Sequence, residues 1–568
     1  MRKLIVVSLM LILGFSLFAT PLAKVYQNDN PTLHVLNDLA KAAGVMPVTS
    51  AGPVTGYDLV RLIEVLKTKE LSPYAMVKLL EVEKDVTQVF STAPASMRIT
   101  VSPELYATTD SQANEWDWMV RYNQRSPFFW GEADAIFANH IYAIISYGLK
   151  LKLIPADFQK VTTNYPYADG FGESQMQNSF PHTAFVGLSG KRSALILGRD
   201  TLGWGSGNTG NLLVGNHVPY HDFLHASTSN TSLRYTFLAI PMNELNTEGK
   251  AKTPENQPGG LFDPLFHNSL SRTFIAHRLE YTPIPQLRIS LTEGVLFYVS
   301  RADLRMLNPF MFLHNYQNFG EVNNSMSAEV EAVLGRGLSL NFQLFLDQIQ
   351  TKGEVGDDPS SEIPPNAYAA LLGLNYTSFT KKGLFKSYVE AVYTSPYAYI
   401  RAGDETGNYY EYVFDGTNWT LEAVKPEEQF NLDFVHAVNM RGGKGSVAFL
   451  GYRFGPDTIV GSTGASYEDQ RGFAFLGNVM LIVQGDNGLE VEGKTQKVNT
   501  DISELFRLSP TGDPTYRLVV TGQLSYDIPL VQGLSVWGRT DVVNTWHKGS
   551  YSFDAQVNAG ISYSVTLF

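Results

Sequence analysis

The stretch Phe553-Asp554-Ala555-Gln556-Val557-Asn558-Ala559-Gly560-Ile561-Ser562-Tyr563-Ser564-Val565-Thr566-Leu567-Phe568 alternates apolar residues with small or polar ones almost without fault. Successive side chains of a strand point to opposite faces, so this segment has one face suited to lipid and one suited to water. Such a strand, closing on an aromatic residue, has the pattern of a wall strand in an outer-membrane β-barrel. The register leaves one problem. The apolar series runs on odd numbers and ends at Leu567, which puts Phe568 on the other face. Either a bulge turns Phe568 outward, or Leu567 is the outward residue that matters for assembly.

The same period of two recurs upstream. Leu338, Leu340, Phe342, Leu344 and Leu346 alternate with Ser339, Asn341 and Gln343; Leu518, Val520, Leu524 and Tyr526 alternate with Arg517, Thr521, Gln523 and Asp527; Leu287, Ile289 and Leu291 alternate with Arg288, Ser290 and Thr292. Polar, turn-rich stretches such as Asn246–Gly260 and Gly353–Pro365 have the length expected of loops on an outer surface. No fixed-period repeat is visible, which argues against a solenoid or propeller. At roughly 25 residues per strand with its share of loop, residues 97–568 make about 18 strands.

Composition agrees with a barrel. Hydrophobic residues are 44% of the 568, and the mean hydropathy is near zero. A wall strand spends only every second residue on lipid, so a barrel looks soluble in bulk. Aromatic residues reach 12%, which suits rings at two membrane interfaces. No later stretch is apolar for the roughly 18 residues that a spanning helix needs. Any crossing must then be made by strands, and a soluble array of β-sandwiches is the rival reading. Residues 1–23 read as a signal peptide, with Arg2 and Lys3 ahead of an apolar run to Phe18 and a cut after Ala19 or Ala23. The absence of cysteine rules out disulfides, thiolate metal sites, a Cys nucleophile and an N-terminal lipid anchor. The net charge of -12 makes nucleic acid an improbable partner.

Residues 28–96 carry the helical period instead. Leu33, Leu36, Ala40 and Ala43 share a face and Gly44 stops the run; Thr55 with Asp58 resembles a capping box ahead of Leu59, Leu62, Ile63 and Leu66. Ser72-Pro73 reads as an N-cap and first-turn proline ahead of Met76, Leu79 and Leu80. The expected fold is thus all-β and transmembrane, a large antiparallel outer-membrane β-barrel of about 18 strands with a small N-terminal α-helical domain in the periplasm.

Three segments carry candidate functional residues. Gly198-Arg199 through Trp204-Gly205 to Asn216 sets glycines around one Arg and one Trp. A Trp face can stack on a sugar ring, and Arg can pair with a sugar carboxylate. The same residues also fit a tight turn at the barrel rim, with Arg199 in a lumen ion network. His217 and Tyr220 extend this candidate ligand set. His217 and His221 invite a metal reading, but Pro219 between them opposes a helix and further ligands are missing, so no metal is expected. The second segment, Arg278-Leu279-Glu280 with Glu293, and the third, around Asp347, place charges on strands. Such charges should face the lumen, since an unpaired charge in lipid is expensive, and Arg278 with Glu293 is the natural pair. No nucleophile elbow, phosphate loop or zinc-protease motif is present, so no catalytic residue and no cofactor are expected.

Taken in order, these segments resemble the capsule-assembly outer-membrane proteins of the Wzi type. Leu36-Asn37-Asp38-Leu39-Ala40-Lys41-Ala42-Ala43-Gly44-Val45 with Gly52-Pro53-Val54-Thr55 is similar to that family's opening helix and turn. Gly198-Arg199 with Trp204-Gly205 is similar to its glycine-arginine and tryptophan-glycine signature. His277-Arg278-Leu279-Glu280, Ser290 to Tyr298 and Leu307-Asn308-Pro309 are similar to its central block. Phe345-Leu346-Asp347-Gln348-Ile349-Gln350 resembles the strand end that normally carries an acidic pair, with Gln348 where a second acid is usual, and one Trp stands near position 204 where the family has two neighbouring ones. The resemblance implies a barrel closed by its own loops and lumen side chains, with a helical bundle on the periplasmic side. It implies a lectin-like, non-catalytic protein that anchors exported capsular polysaccharide at the cell surface. The expected partners are that polysaccharide, outer-membrane lipid and the outer-membrane assembly machinery, and the expected state is a monomer. The alternative function is a porin or sugar-transport channel, since barrels of this size can be open.

Overall fold

A computed structural model describes residues 21–88, 94–110, 118–121, 124–137, 139–151, 161–164, 176–179, 183–242, 271–299, 308, 311–312, 322–335, 337–349, 365–400, 409–414, 419–424, 434–440, 444–487 and 507–567. Most of the signal-peptide stretch, the polar stretches Asn246–Gly260 and Gly353–Ile363, and Phe568 lie outside the described residues.

The strands close into one antiparallel barrel. Ala95–Val101 and Glu104–Thr108 pair with Ser550–Thr566 as one wall strand interrupted at Ser102-Pro103, which joins the first strand to the last. Met176–Ser179 and Ala184–Ser189 likewise both pair with Ile141–Leu151. Phe129–Phe137 and Val161–Thr163 pair with the two halves of that interrupted strand and count as one, so the described residues form a wall of 18 strands. Closure matters because lipid offers no hydrogen bonds to a free sheet edge. Connections at one end are short, such as 229–233, 284–287, 379–383 and 469–473, and this is the turn end. Those at the other end are long, such as 200–221 and 394–458, and this is the loop end. The longest carries two hairpins, Tyr409–Phe414 with Trp419–Val424 and Val435–Met440 with Lys444–Phe449.

The wall is apolar outside and polar inside. In Leu338–Gln348 the buried residues are Ser339, Asn341, Gln343 and, toward the loop end, Phe345, while Leu338 is exposed. In Ser550–Thr566 the outward series holds Phe553, Val557, Ile561 and Tyr563, and Gln556 and Asn558 are buried inside. Leu567 continues the outward series, and its N–H donates to the Met97 carbonyl at 2.8 Å. Leu567 is therefore a paired, outward residue at the seam.

Three helices sit at the turn end. Helix α1, Pro31–Ala42, starts at Asn30, whose side chain accepts the Thr32 N–H. Helix α2, Gly56–Lys67, has the capping box: Thr55 and Asp58 each accept the other's backbone N–H. Helix α3, Pro73–Gln88, buries Ala75, Leu79, Val82 and Val86. Met76 and Leu80, expected on its buried face, are exposed. The face that meets α1 and α2 passes through Leu79 and Val82, which turns Met76 and Leu80 to solvent.

Asp58 also ties the bundle to the wall. Arg234, buried near the turn end of its strand, donates to Asp58 at 3.2 Å, and Arg61 pairs with the same carboxylate. Burial would raise the Asp58 carboxyl, but Arg234, Arg61 and the Thr55 hydrogen bond outweigh it and hold the pKa below the ordinary value. A depressed carboxyl stabilises the folded form above its unfolded pKa, and that contribution is lost as pH falls through the folded value. The bundle should stay docked from neutral pH down to about 4 and loosen below that. Asp58→Asn should expose α2 and α3 to limited proteolysis at neutral pH, because it leaves Arg234 buried without its counter-charge, at a penalty of about 3–5 kcal/mol. On the wall, Leu291 is outward and 59% exposed in mid-strand. Leu291→Arg should destabilise the folded, heat-modifiable barrel by about 2–4 kcal/mol, whereas Val531→Arg in the turn should change its stability by about 0–1 kcal/mol.

Candidate functional site

Inside the barrel the chain folds back on itself. From the turn end, residues 45–54 rise into the lumen, with Met46 N–H bonded to the Pro285 carbonyl at 2.7 Å. From the loop end, residues 201–217 descend to meet them. Gly205 N–H donates to Ser50 at 2.8 Å, and Trp204 forms isolated bridges with Ala51 and Val214. Gly205 is needed here: its φ is +124°, and a Cβ would fall 2.4 Å from Gln343 Nε2.

Wall charges hold both segments. Arg278 donates Nε to Glu280 at 2.9 Å, and its Nη2 to Glu329 at 2.7 Å and to Ser50 at 2.9 Å. Glu280 accepts Thr49 Oγ1 at 2.7 Å. Arg288 donates Nε and Nη2 to Glu331 at 2.7 and 2.5 Å and Nη1 to the Pro47 carbonyl at 2.9 Å. Ser206 bonds the same Glu331. Glu390 accepts the Asn208 and Thr209 N–H groups at 2.7 and 2.8 Å, and Gln343 accepts Leu212 N–H at 3.1 Å. The 394–458 connection adds Tyr399, whose hydroxyl donates to the Leu212 carbonyl at 2.7 Å and whose N–H donates to Asp347 at 3.0 Å. On the C-terminal side, Val460, Met480, Ile482, Val519 and Val543 from the wall pack in one core with Tyr399, Phe434, Phe449 and Leu450. Together these layers seal the lumen across the described residues.

The expected ligand residues do not converge. Trp204 is 0% exposed, packed in that core with the Arg278 guanidinium 6.0 Å from its ring centre, so it presents no face to a sugar. Arg199 points outward, not into a lumen network. Its partner across the strands is Asp222, which it grips through Nε and Nη2 at 2.7 and 2.8 Å, and it stacks 4.0 Å from the Tyr220 ring centre. Asn216 is exposed, while His217 is largely covered and held neutral, its pKa pushed down to about 3 by burial and by Arg453. Among the described residues no His, Asp or Glu cluster has the makings of a metal site.

Of the expected lumen residues, Arg278, Glu280 and Asp347 take part in the network. Glu293 does not pair with Arg278. The register sets Arg278 opposite Thr292 and Glu293 opposite His277, so the two charges lie on opposite faces of the wall. Parity decides this, because residues fifteen apart on two antiparallel strands can share a face only if their cross-strand partners do. Glu329, Glu331, Glu390 and Arg288 carry the network and were missed. Alternation in Val322–Gly335 was the available signal, since Glu329 and Glu331 share one face there.

No protein-family model matches the chain, and no curated protein matches it by sequence. Among solved structures it is similar to Wzi of Escherichia coli, described as a carbohydrate-binding β-barrel involved in group 1 capsule assembly. The TM-score is 0.50 at 14% identity, covering 95% of this chain and 98% of that one. OprD of Pseudomonas aeruginosa also matches, with a TM-score of 0.40 at 10% identity over 84% of this chain and 94% of that one. At these identities the common property is the fold of an outer-membrane β-barrel.

Arg278→Ala would leave Glu280 and Glu329 buried without their cation, a loss of about 3–5 kcal/mol that should unseat residues 45–54 and 201–217. Steady conductance in planar bilayers should rise. Arg199→Ala, at the partly exposed outer rim, should change stability by about 0–1 kcal/mol and leave conductance unaltered.

Proposed function

We propose that this protein resides in the outer membrane and holds exported polysaccharide at the cell surface, acting by binding and not by catalysis. The observation that carries the reading is the sealed lumen. A barrel of 18 strands is wide enough to conduct, yet here it is filled by two chain segments fastened through buried ion pairs. Such filling is wasted in a conduit and useful in a rigid platform for loops. The likeness to a carbohydrate-binding barrel in nearly full-length overlap supports the same reading. In this proposal the turn end and the helical bundle face the periplasm and the long connections face outward, the usual disposition of such barrels. Many weak contacts to repeating sugars would then add up by avidity along one polymer. The leader would be cut ahead of Pro21, because Ala23 is buried and its carbonyl accepts Ser189 Oγ at 3.0 Å.

A channel is the second reading, favoured by the polar inner face of the C-terminal strands. Two measurements separate them. Cells lacking the protein should shed surface glycan, and the purified wild-type protein should give no large steady conductance. Glycan that stays attached without the protein would overturn the anchoring role, and sustained conductance would restore the channel.

A further inference from the structure

The seal does not extend through the whole barrel. On the C-terminal side, inward residues toward the loop end are buried: Met480, Thr521, Asp541 and Gln556. Their inward neighbours two residues nearer the turn end are accessible: Asn478, Gln523, Arg539 and, past Asn558, Gly560. Leu476, also inward, is 40% exposed. A polar chamber therefore lies below the seal, reached from the turn end.

Its wall is built for a flat, hydroxylated guest. Trp537 and Gly560 are cross-strand partners. A Cβ at Gly560 would fall 2.9 Å from the Trp537 indole, so the ring lies against bare backbone there and stays partly exposed. A ring supported this way is a stacking surface of low conformational entropy. Arg539, two residues on, shares the inward face. It grips Asp541 at 2.7 and 2.8 Å, and its side chain is still 28% exposed. Directly across from Arg539 is Asn558. Its side chain is inward and 1% exposed, and neither its Oδ1 nor its Nδ2 has a hydrogen-bond partner. A buried amide without partners costs about 1–3 kcal/mol, a standing demand for a donor and an acceptor at that point. Arg453 stacks on Phe454 at 4.8 Å and lies within electrostatic reach of Arg539, and no carboxylate among the described residues pairs with it. Asp541 balances one of these two arginines, which leaves one positive charge over.

We propose that this chamber binds an acidic hexopyranose residue, with its ring on Trp537, its hydroxyls toward Asn558 and its carboxylate toward Arg453 and Arg539. The ligand class rests on the polysaccharide-binding reading above; the chamber itself does not. It is a second binding place, on the opposite side of the seal from the long loops. A glycan segment could be held here before or apart from display at the surface.

The test uses the full-length protein in detergent micelles, with tetragalacturonate as the acidic probe and maltotetraose as the neutral one. Tetragalacturonate should bind, and Trp537→Ala should weaken it about tenfold, while Trp537→Phe keeps most of the affinity. Asn558→Leu should also weaken it without lowering the heat-modification temperature, since an amide lacking partners contributes nothing to the empty barrel. The chain has no cysteine, so Gln523→Cys supplies a single thiol that tetragalacturonate should protect from a maleimide. No binding by wild-type protein, equal binding by Trp537→Ala, or an unprotected thiol would overturn the site. Equal binding of maltotetraose would overturn its acidic specificity. Surface glycan on cells producing Trp537→Ala separates the two proposals. Retained glycan with lost tetragalacturonate binding supports a chamber distinct from the surface role. Wild-type cells that hold no glycan while the chamber binds the probe would sink the anchoring reading alone.

Discussion

Two guanidinium groups that cannot shed their charge decide how this barrel is filled. Arg278 and Arg288 are among the most deeply buried large side chains in the molecule. Arginine stays protonated in any protein environment, so its burial must be matched by acids and by acceptors for each donor. The wall supplies Glu280, Glu329 and Glu331. Of the remaining donors, Arg278 Nη1 reaches Thr292 on the wall, while Arg278 Nη2 and Arg288 Nη1 reach Ser50 and the Pro47 carbonyl, which belong to the segment rising from the turn end. The lumen network is thus complete only when residues 45–54 are seated, and seating them places Ala51 against Trp204 of the descending loop. Buried ion pairs contribute little net stability compared with apolar packing. Their effect here is to specify one arrangement of two otherwise polar chain segments.

The filling is lopsided, and the chemistry differs on its two sides. Strands from about residue 233 to 348 meet the inserted segments through charges and amides. The later strands meet the 394–458 connection through Val, Ile, Met and aromatic side chains. Apolar packing needs no register of donors and acceptors, so it can stop partway down the wall. That leaves the inward side chains nearer the turn end in contact with water, Trp537 and Arg539 among them. One barrel in this way carries a rigid seal and a polar chamber at different depths.

Much of the molecule follows from local pattern. The period of two in Ser550–Thr566, Leu338–Gln348 and Thr515–Asp527 names the strands and their outward faces, and Leu567 keeps that register to the seam. Thr55 with Asp58 announces the start of α2, and Gly44 the end of α1. These features were readable because each depends on residues a few positions apart. The helix α3 face was misjudged for a related reason: Met76 and Leu80 are as apolar as Leu79 and Val82, and only the neighbouring helices choose between the stripes.

The site was less legible. Trp204 beside glycines suits a sugar platform or a buried plug equally well in sequence, and its burial depends on Ala51, which is far away along the chain. Arg199 and Arg278 look alike as charges on strands; one faces out to Asp222 and the other in to Glu280 and Glu329. By itself the sequence determined that this chain is an antiparallel barrel with an N-terminal helical bundle, because alternation and capping are local consequences of backbone geometry. Only the tertiary structure decided which charges meet, that two chain segments fill the lumen, and that Trp537 and Arg539 stay accessible on the inner face while Asn558 between them is buried. Closure of the sheet brings together residues whose separation in sequence says nothing about their separation in space.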